Sequence, residues 1–464
     1  MKANQSRYQS SRRSFLQNAS LLAAGLPLAG LSKFSWSNEK DIMDTSVIQI
    51  KPETILSDPR VQLNFGKDHM ILPDGLQSSM LCTKSGALIV QGQLSKKPYP
   101  QKRIFYPFAL STVVSRDKGR NWKAFLLKPG DNGVNMEGGA IQLKDGTILV
   151  LDTYVTPGES PDLGIGLLYT SNDDYRTLQG PETITFTIPE AEFYGSTDDG
   201  GRPHAAMRLH RRMIEMPNGD LLATMYGWLK GDNTPSDYEH SMRKTRVMLF
   251  QSTNKGKHWN MISTVAVGSD IGTEGFGEPV ITRISQGPHA GRILCLMRTG
   301  RELYETFSDD GGFTWAPPRP RVFANIDVYR TDLWAKMFKD VKRYGLPVED
   351  NPVENIGAVV DPDLLELPNG VLVAAFGVRI PAKACFINPS FPWNGDYLAF
   401  SLDHGITWSH VVRLTSGIAT TQYMAIEKMP EDNRIFVACD YGYWNYKGGR
   451  YLYGFPLDIS VHKK

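Results

Sequence analysis

The stretch Ser308-Asp309-Asp310-Gly311-Gly312-Phe313-Thr314-Trp315 returns several times along this chain. Copies that keep the Ser, the Gly and the Trp at the same offsets begin at Ser115, Ser252 and Ser401, and a degenerate copy begins at Ser171. The shared pattern, S-x-D-x-G-x-[ST]-W, predicts a tight turn in which the Asp accepts backbone N–H bonds, the Gly has a positive φ and the Trp packs beneath. Five copies in register indicate a repeat architecture.

A second recurring unit lies between these turns and consists of an apolar run, a short polar turn and another apolar run. Each instance predicts a β-hairpin. The six instances are residues 80–93, 140–152, 213–226, 280–298, 364–376 and 425–440. Six hairpins, five of them followed by a copy of the turn, predict an all-β fold with six four-stranded sheets, which is a six-bladed β-propeller. We expect residues 47–65 to supply the outer strand of the last sheet and to close the ring.

These repeats make the chain resemble the sialidase (neuraminidase) superfamily, whose BNR or Asp-box repeats have the same pattern. The resemblance covers most of the chain after the N-terminal leader. It implies a sialidase-like propeller at residues 45–464 and an enzyme that acts on carbohydrate, most simply an exo-acting glycoside hydrolase related to sialidases.

The N-terminus has a different character from the rest of the chain. Ser11-Arg12-Arg13-Ser14-Phe15-Leu16 precedes an apolar run of mostly small residues at 19–31. Twin arginines before such a run look like a twin-arginine (Tat) export signal. A membrane anchor needs about 20 predominantly apolar residues, and Pro27 and Lys33 interrupt this run. We expect a cleaved leader and linker at 1–37, recognition by the Tat translocase, no stable membrane insertion, and a periplasmic or secreted protein.

Composition narrows the classes of partner and cofactor. The net charge is +2 with acids and bases intermixed, which favours neither a nucleic-acid surface nor a basic membrane patch. An oligo- or polysaccharide remains the expected partner. No metal-ligand spacing of the H-E-x-x-H or C-x-x-C type occurs, so we predict no cofactor and no catalytic metal. The four cysteines are expected to be buried free thiols.

Each predicted hairpin places one polar or ionisable residue at the equivalent point of its first strand, six positions before the residue that opens the turn. We expect these residues to meet at the mouth of the central funnel. They are Gln77, Glu137, His210, Glu278, Asp361 and Tyr423. Arg298 and Asp440 end second strands, and after correction for turn length each lies at the same spacing from its first-strand partner. Arg298 is therefore expected beside Glu278, and Asp440 beside Tyr423.

The resemblance to sialidases implies roles for these two pairs. In that family the fourth blade carries a Glu and an Arg that binds the substrate carboxylate, and the sixth carries a nucleophilic Tyr and a Glu. Glu278, Arg298, Tyr423 and Asp440 stand at the matching positions. A phenol with a pKa of about 10 is a poor nucleophile unless a carboxylate takes its proton, which is the role implied for Glu278.

The sequence departs from the family pattern in two places. Gln77 stands where the first arginine of the carboxylate-binding cluster is expected, and residues 93–114, which should hold the acid catalyst, contain no Asp or Glu. Charged hydrogen bonds contribute about 1.5–3 kcal/mol each, so the loss of one arginine weakens the binding of a carboxylate. We predict weak binding of sialic acid.

Extra carboxylates at the same mouth leave a second hydrolase chemistry open. Glu137 and Asp361 could work as acid and nucleophile, or as acid and base, depending on the distance between them. Arg379, just past the end of a second strand, is a candidate second contact for an anion.

Two further classes of function also stay open. In a polysaccharide lyase, His204 or His210, with Tyr226 or Tyr423 and a cation such as Arg202, would abstract a proton next to a uronate carboxylate. In a non-catalytic glycan-binding propeller, the same residues would form a lectin pocket.

Overall fold

The computed structural model describes residues 50–94, 99–100, 105–106, 109–125, 134–196, 204–237, 242–329, 356–380, 382, 385, 393–444 and 446–462. These residues form an all-β fold in which a short 3-10 turn, Met136–Gly138, interrupts the strands. No helix in this described part of the chain is long and apolar enough to cross a membrane. The predicted leader at 1–37 lies outside the described residues. All four cysteines are free and three of them are buried, as predicted.

The strands are short and follow one another closely. In the first half they are β1 Glu53–Leu56, β2 Val61–Phe65, β3 His69–Pro73, β4 Gly75–Cys82, β5 Leu88–Leu94, β6 Tyr99–Pro100, β7 Phe105–Tyr106, β8 Ala109–Ser115, β9 Lys123–Phe125, β10 Ala140–Gln142, β11 Ile148–Leu151, β12 Tyr154–Pro157, β13 Leu163–Ser171, β14 Gln179–Thr187, β15 Gly195–Ser196, β16 His204–Ala205, β17 Met207–Glu215 and β18 Leu221–Gly227. In the second half they are β19 Arg246–Ser252, β20 His258–Ala266, β21 Gly277–Arg283, β22 Ile293–Arg298, β23 Leu303–Ser308, β24 Arg319–Arg321, β25 Ala358–Glu366, β26 Leu372–Arg379, β27 Gly395–Ser401, β28 His410–Arg413, β29 Met424–Lys428, β30 Arg434–Tyr441 and β31 Tyr451–Val461.

All six predicted hairpins are present as antiparallel strand pairs. Four of the hairpins lie in separate sheets. These are a sheet of β4, β5, β8 and β9, a sheet of β21 to β24, a sheet of β25 to β28 with β1 at its edge, and a sheet that contains β29 to β31. The segment 61–65 pairs with β31, as predicted for the outer strand of the last sheet.

The two remaining hairpins share one sheet. The pairing of β12 with β17 and of β14 with β20 joins β10 to β14 and β17 to β20 into one nine-stranded sheet. The described residues therefore form five sheets of four or more strands, and a count of six blades stays a prediction.

The five repeated turns share one conformation. In Ser308 to Trp315 the Ser308 Oγ accepts the backbone N–H of Gly312 at 2.8 Å, and Oδ1 of Asp310 accepts the backbone N–H of Thr314 at 3.0 Å. The same two bonds occur in the other four copies. The Gly of the turn has a φ between 81° and 99° in four copies. Three of the Trp side chains donate to the carbonyl of that Gly. The local hydrogen bonds of the motif thus form as its residue types predict.

The first strands surround a common centre. Each contacts the first strand of the next hairpin, from β4 through β10, β17, β21, β25 and β29 back to β4. The apolar core lies between neighbouring sheets, as where Val373 and Phe400 pack against Ile426 and Tyr453. Polar side chains of the first strands are left to face the centre.

Candidate active site

The first strands are irregular at the places where the sequence predicts the polar ring. The register shifts between Leu76 and Ser79 in β4, and equivalent shifts occur in β17, β21 and β25. Gln77, Glu278 and Asp361 lie inside these shifts with φ of 52°, 40° and 50°. Positive φ costs a non-glycine residue about 1–3 kcal/mol, and such strain collects at functional sites. The bulges re-aim these side chains toward the centre.

Carboxylates of neighbouring strands bind the backbone N–H groups that the bulges release. The N–H of Asp361 donates to Oε2 of Glu278 at 3.1 Å, and the N–H of Met424 donates to Oδ2 of Asp361 at 3.0 Å. The N–H of Gln77 donates to Oδ2 of Asp440 at 3.1 Å. Because a buried backbone N–H needs a partner, these bonds hold the bulged strands to one another.

Tyr423, Glu278 and Arg298 form one hydrogen-bonded cluster. The Tyr423 hydroxyl donates to Oε1 of Glu278 at 2.7 Å, and Nη1 of Arg298 lies 2.5 Å from the same oxygen and 3.0 Å from the Tyr423 hydroxyl. Nη2 of Arg298 donates to Oε1 of Glu274 at 3.0 Å. The sequence predicts the contact of Arg298 with Glu278 but not the contact with Glu274, which belongs to the loop before β21.

The cluster separates the pKa values of the phenol and the carboxylate. Burial opposes the ionisation of Glu278, but the Arg298 guanidinium and the Tyr423 hydrogen bond outweigh it and hold the pKa of Glu278 at about 2. Burial and the neighbouring carboxylate raise the pKa of Tyr423 well above its usual value. At neutral pH a protonated phenol therefore faces an ionised carboxylate, with a cation beside the phenol oxygen.

Glu137 reaches the centre from the 3-10 turn. Asn135 caps this turn by accepting the backbone N–H of Glu137 at 3.2 Å, and Oε1 of Gln91 accepts the backbone N–H of Met136 at 2.9 Å. Oδ2 of Asp152 accepts the N–H of Asn135 at 3.0 Å. The side chain of Glu137 is 19% exposed, and burial raises its pKa. A carboxyl group with a raised pKa can hold a proton for a reaction.

His210 lies beneath the pocket rather than on its wall. Its ring is 1% exposed, Nδ1 lies 3.1 Å from the Pro279 carbonyl, and Nε2 lies 3.8 Å from Oε1 of Glu137 and 4.0 Å from Oδ1 of Asp361. Burial, helped by the adjacent Arg211 guanidinium, lowers the pKa of His210 to about 4. The imidazole is therefore neutral at pH 7, with Nδ1–H donating to the carbonyl and Nε2 as an acceptor.

Asp361 and Asp440 are both fully buried. Asp361 forms a short ion pair with Arg211, yet burial raises its pKa well above the usual range. Asp440 accepts from the hydroxyl and the backbone N–H of Thr421 and from the hydroxyl of Thr420, so its oxygens bind the segment that precedes Tyr423. Asp440 is therefore buried beneath the site, where it binds the segment before Tyr423. Its place beside Tyr423 does not make it a contact for the substrate, because none of its surface is exposed.

The remaining predicted side chains lie around this cluster or outside the described residues. Nη1 of Arg208 donates to the Tyr226 hydroxyl at 3.2 Å, and burial raises the pKa of Tyr226 to about 12. Arg379 donates to the Thr421 carbonyl, and its guanidinium lies 5.1 Å from the centre of the Tyr423 ring. Arg202 lies outside the described residues. His204 belongs to β16, but its side chain also lies outside the described part of the chain.

A cavity of about 290 Å³, including its opening to solvent, lies at this centre. Its walls include three predicted ring residues, Gln77, Glu137 and Tyr423. They also include side chains that the sequence analysis did not single out for the site: Gln91, Gln93, Asn135 and Arg211. Arg211 could have been noticed as a charged residue in a first strand, but its direction depends on the register shift between Leu209 and Met213. Glu274 lies in the loop before β21 rather than in a first strand, so the sequence pattern gives no reason to expect it at the site.

Similarity to known proteins is found among solved structures. Neither family profiles nor curated protein sequences match the chain. A protein of unknown function from Dyadobacter fermentans aligns with a TM-score of 0.54 and 19% identity over 87% of this chain and 100% of that one. The GH93 alpha-L-arabinofuranosidase of Fusarium graminearum, solved with arabinobiose, aligns with a TM-score of 0.50 and 11% identity over 84% and 97%. A Hadza microbial sialidase aligns with a TM-score of 0.49 and 14% identity over 84% of this chain and 66% of that one.

These neighbours establish the class of fold. The chain is all-β, and the neighbours that share its fold at a TM-score of 0.50 or more include a GH93 alpha-L-arabinofuranosidase. At such low identities the shared property is the fold, and the chemistry has to be argued from the site.

Proposed function

We propose that this protein is an exported, exo-acting glycoside hydrolase related to sialidases, which removes a terminal sugar from a glycan. The observation that carries the proposal is the cluster in which the Tyr423 hydroxyl donates to Glu278 at 2.7 Å while Nη1 of Arg298 lies 3.0 Å from the same hydroxyl. A nucleophile, a base and a cation in mutual contact are what activation of a phenol requires. The glycosidase neighbours support this class at the level of the fold.

In the first step of the proposed reaction, Tyr423 Oη attacks the anomeric carbon and its proton passes to Glu278. The raised pKa of Tyr423 means that the free phenolate is not populated, so proton transfer accompanies attack. Arg298 stabilises the negative charge that develops on the phenol oxygen. In this role Arg298 serves the nucleophile, whereas the family resemblance implies that it binds a substrate carboxylate.

Glu137 supplies the acid that the family pattern lacks. It lines the same cavity as Tyr423, and burial raises its pKa, which favours the protonated form that an acid catalyst needs. Its proton goes to the glycosidic oxygen as the bond to the anomeric carbon breaks. In the second step Glu137 takes a proton from water as the water oxygen attacks the anomeric carbon. The bond between that carbon and Tyr423 Oη breaks, and Tyr423 recovers its proton from Glu278. The anomeric configuration is retained.

The architecture and export of the protein belong to the same proposal. The nine-stranded sheet contains two hairpins with separate first strands, β10 and β17, and each contacts its neighbours around the centre. Counting these as two blades makes residues 45–464 a six-bladed propeller with Asp-box turns. Residues 1–37 are proposed to direct the folded protein through the Tat translocase to the periplasm or the exterior.

The alternatives have less support from the geometry. Of the residues predicted for a lyase, His210 is buried with a pKa of about 4 and the Tyr226 hydroxyl is bound to Arg208, so neither is placed to take a proton from a substrate. Asp361, the partner of Glu137 in a paired-carboxylate mechanism, has no exposed surface.

The test is a substrate panel for the mature protein. Fluorogenic sialosides and aryl glycosides are incubated beside arabinan, rhamnogalacturonan and uronic-acid polysaccharides, with new reducing ends, aglycone release and ultraviolet absorbance followed together. Hydrolysis should release a monosaccharide whose first-formed anomer, seen by proton NMR, has the configuration of the substrate. An unsaturated product that absorbs in the ultraviolet would replace the hydrolase by a lyase. Binding without any turnover would replace it by a lectin.

A further inference from the structure

We infer that the pocket selects an uncharged terminal sugar, which it binds through the carboxamides of Gln77, Gln93 and Asn135. This inference rests on the proposed function and specifies its substrate class. Three observations support it. The nearby guanidinium groups are paired, the carboxamides of Gln77 and Gln93 line the cavity, and a buried donor of Asn135 has no partner among the described residues.

The guanidinium groups nearest the nucleophile are already paired with carboxylates. Arg298 lies between Glu278, at 2.5 Å, and Glu274, at 3.0 Å. Arg211 forms a short ion pair with Asp361 and lies 3.5 Å from Asp363. Both guanidinium groups are therefore engaged by carboxylates, and Asp363 is also bound by Arg212. A substrate carboxylate would have to displace one of these partners and would then leave a buried anion without its cation.

Two further arginines lie close to the site but are also engaged. Arg208 donates to Tyr226, and its guanidinium lies 5.4 Å from the centre of the Tyr154 ring. Arg379 donates to the Thr421 carbonyl through Nε and Nη2. Neither arginine lines the cavity. The guanidinium that does line the cavity among the described residues, that of Arg211, already has Asp361 and Asp363 as partners, so an anionic sugar would meet Glu137 and compete for a paired cation.

The carboxamides of Gln77 and Gln93 in the cavity wall are available to a ligand. Within the part of the chain that the structure describes, the side chains of Gln77 and Gln93 make no hydrogen bond. The fixed φ of 52° at Gln77 and its backbone bond to Asp440 hold that side chain at the cavity. A carboxamide donates and accepts without carrying charge, so a pair of them suits the hydroxyl groups of a neutral sugar.

Asn135 adds a buried donor to the cavity wall. The residue is 3% exposed, and its Oδ1 accepts the backbone N–H of Glu137, which fixes the orientation of the amide. Its Nδ2 is buried and has no hydrogen-bond partner among the described residues, and the residue lines the cavity. A buried N–H group without a partner is costly, and a sugar oxygen in the cavity would satisfy it. A site built in this way discriminates strongly against ligands that leave its polar groups unpaired.

The test measures binding rather than turnover, using the full mature chain carrying Tyr423→Phe. By calorimetry it is titrated with neutral methyl glycosides of galactose, glucose, xylose, rhamnose and arabinose, with the methyl glycosides of galacturonate and glucuronate, and with a methyl sialoside. Galactose and glucose differ from their uronates only at C6, so each pair isolates the charge. We expect at least one neutral glycoside to bind tenfold or more tightly than every acidic one.

Variants of the amide wall carry the second half of the test. Gln77→Ala and Gln93→Ala should each weaken the neutral ligand about three- to tenfold, the range of a single neutral hydrogen bond. Gln179→Ala, at the exposed start of β14, is the matched control and should bind as the parent does. Gln77→Arg should improve the binding of the uronates relative to their neutral partners, and thermal unfolding confirms that each variant is folded.

The outcomes separate this inference from the proposed function. Tighter binding of a uronate or the sialoside than of every neutral glycoside overturns the inference, as does a complete lack of neutral binding. If the protein with Tyr423 intact hydrolyses an acidic glycoside, the hydrolase stands and the neutral pocket falls. If neutral sugars bind but no glycoside is hydrolysed, the neutral pocket stands and the hydrolase falls.

Discussion

Tyr423 donates a 2.7 Å hydrogen bond to Oε1 of Glu278 across 145 residues of sequence. Tyr423 precedes β29 and Glu278 lies on the bulge of β21, so the bond joins two parts of the ring that have β25 between them. Arg298, at the end of β22, contacts both side chains. The cluster is assembled without substrate, and such preorganisation lowers the cost of placing charge during a reaction.

Replacement of the phenol tests the nucleophile. In Tyr423→Phe we expect kcat to fall by at least about 10³-fold on any substrate that the wild type hydrolyses, because the attacking oxygen is lost. Ligand binding should change little. Tyr226→Phe is the matched control, since the Tyr226 hydroxyl contacts Arg208 rather than Glu278. Turnover by Tyr423→Phe close to that of the wild type would remove Tyr423 from the mechanism.

Replacement of the base is the second prediction. Glu278→Gln keeps the shape of the side chain but cannot take the proton of Tyr423, so kcat/KM should fall about 10²–10⁴-fold. Glu274→Gln alters the other carboxylate partner of Arg298 and leaves the Tyr423 bond in place, so its loss should be much smaller. Steady-state kinetics of the two variants decide the matter. Equal losses of kcat/KM would mean that the activity depends on the charge around Arg298 and not on proton transfer to Glu278.

The pH profile tests Glu137 as the acid. Glu137 has to be protonated, and its raised pKa implies that kcat/KM declines as pH rises through that value. Glu278 has to be ionised, and its pKa of about 2 puts the corresponding acidic decline far lower. The kcat/KM of the wild type should therefore be highest between the pKa of Glu278 and the pKa of Glu137. Glu137→Gln should abolish the alkaline decline and spare 2,4-dinitrophenyl glycosides, whose leaving group needs no proton. An unaltered alkaline limb would assign the acid elsewhere.

A stability prediction concerns Arg212, which lies below the site. Nε of Arg212 donates to Asp363 at 2.6 Å, and Nη1 donates to Glu427 at 2.8 Å. Arg212→Met should cost about 3–5 kcal/mol of unfolding free energy, because the buried Asp363 and the partly buried Glu427 both lose the guanidinium that they bind directly. Lys255→Met, which breaks an exposed pair with Asp145, should change the unfolding free energy far less. Denaturant titration of both variants gives the comparison.

The sign of the pH dependence makes the same variant more informative. Burial alone would raise the pKa of Asp363, but Arg212 outweighs it and holds the pKa below its usual value. That contribution to stability is present above the unfolded pKa and is lost as pH falls through the folded one. Without Arg212, burial raises the folded pKa, so stability is lost as pH rises. The unfolding temperature of Arg212→Met should therefore drop further below that of the wild type at pH 7 than at pH 4.

Export is tested at the N-terminus. Replacing both arginines, Arg12→Lys with Arg13→Lys, should keep the protein in the cytoplasm of a Tat-competent host, because the twin pair is the feature that the translocase reads. Fractionation with an antibody against the folded domain measures the result. Unchanged export of the double variant would point to a different route.

The repeated turns and hairpins follow from the sequence because their hydrogen bonds connect residues a few positions apart. Asp310 and Thr314, or the strands on either side of Gly86, meet whatever the rest of the chain does. The equivalence of the hairpins then predicts which strand starts lie at the centre. In this way Tyr423, Glu278 and Arg298 were expected together, and the structure brings them into contact.

Tertiary structure decided which side chains reach the cavity. The register shift in β17 puts Arg211 on the cavity wall while His210 lies beneath it, although the two are adjacent in sequence. Asp440 is buried because the segment before Tyr423 uses its oxygens. The pairing of β14 with β20 joins hairpins that the repeat pattern treats as separate. Bulges and contacts between sheets depend on the packing of distant strands, and a pattern of neighbouring residues does not encode them.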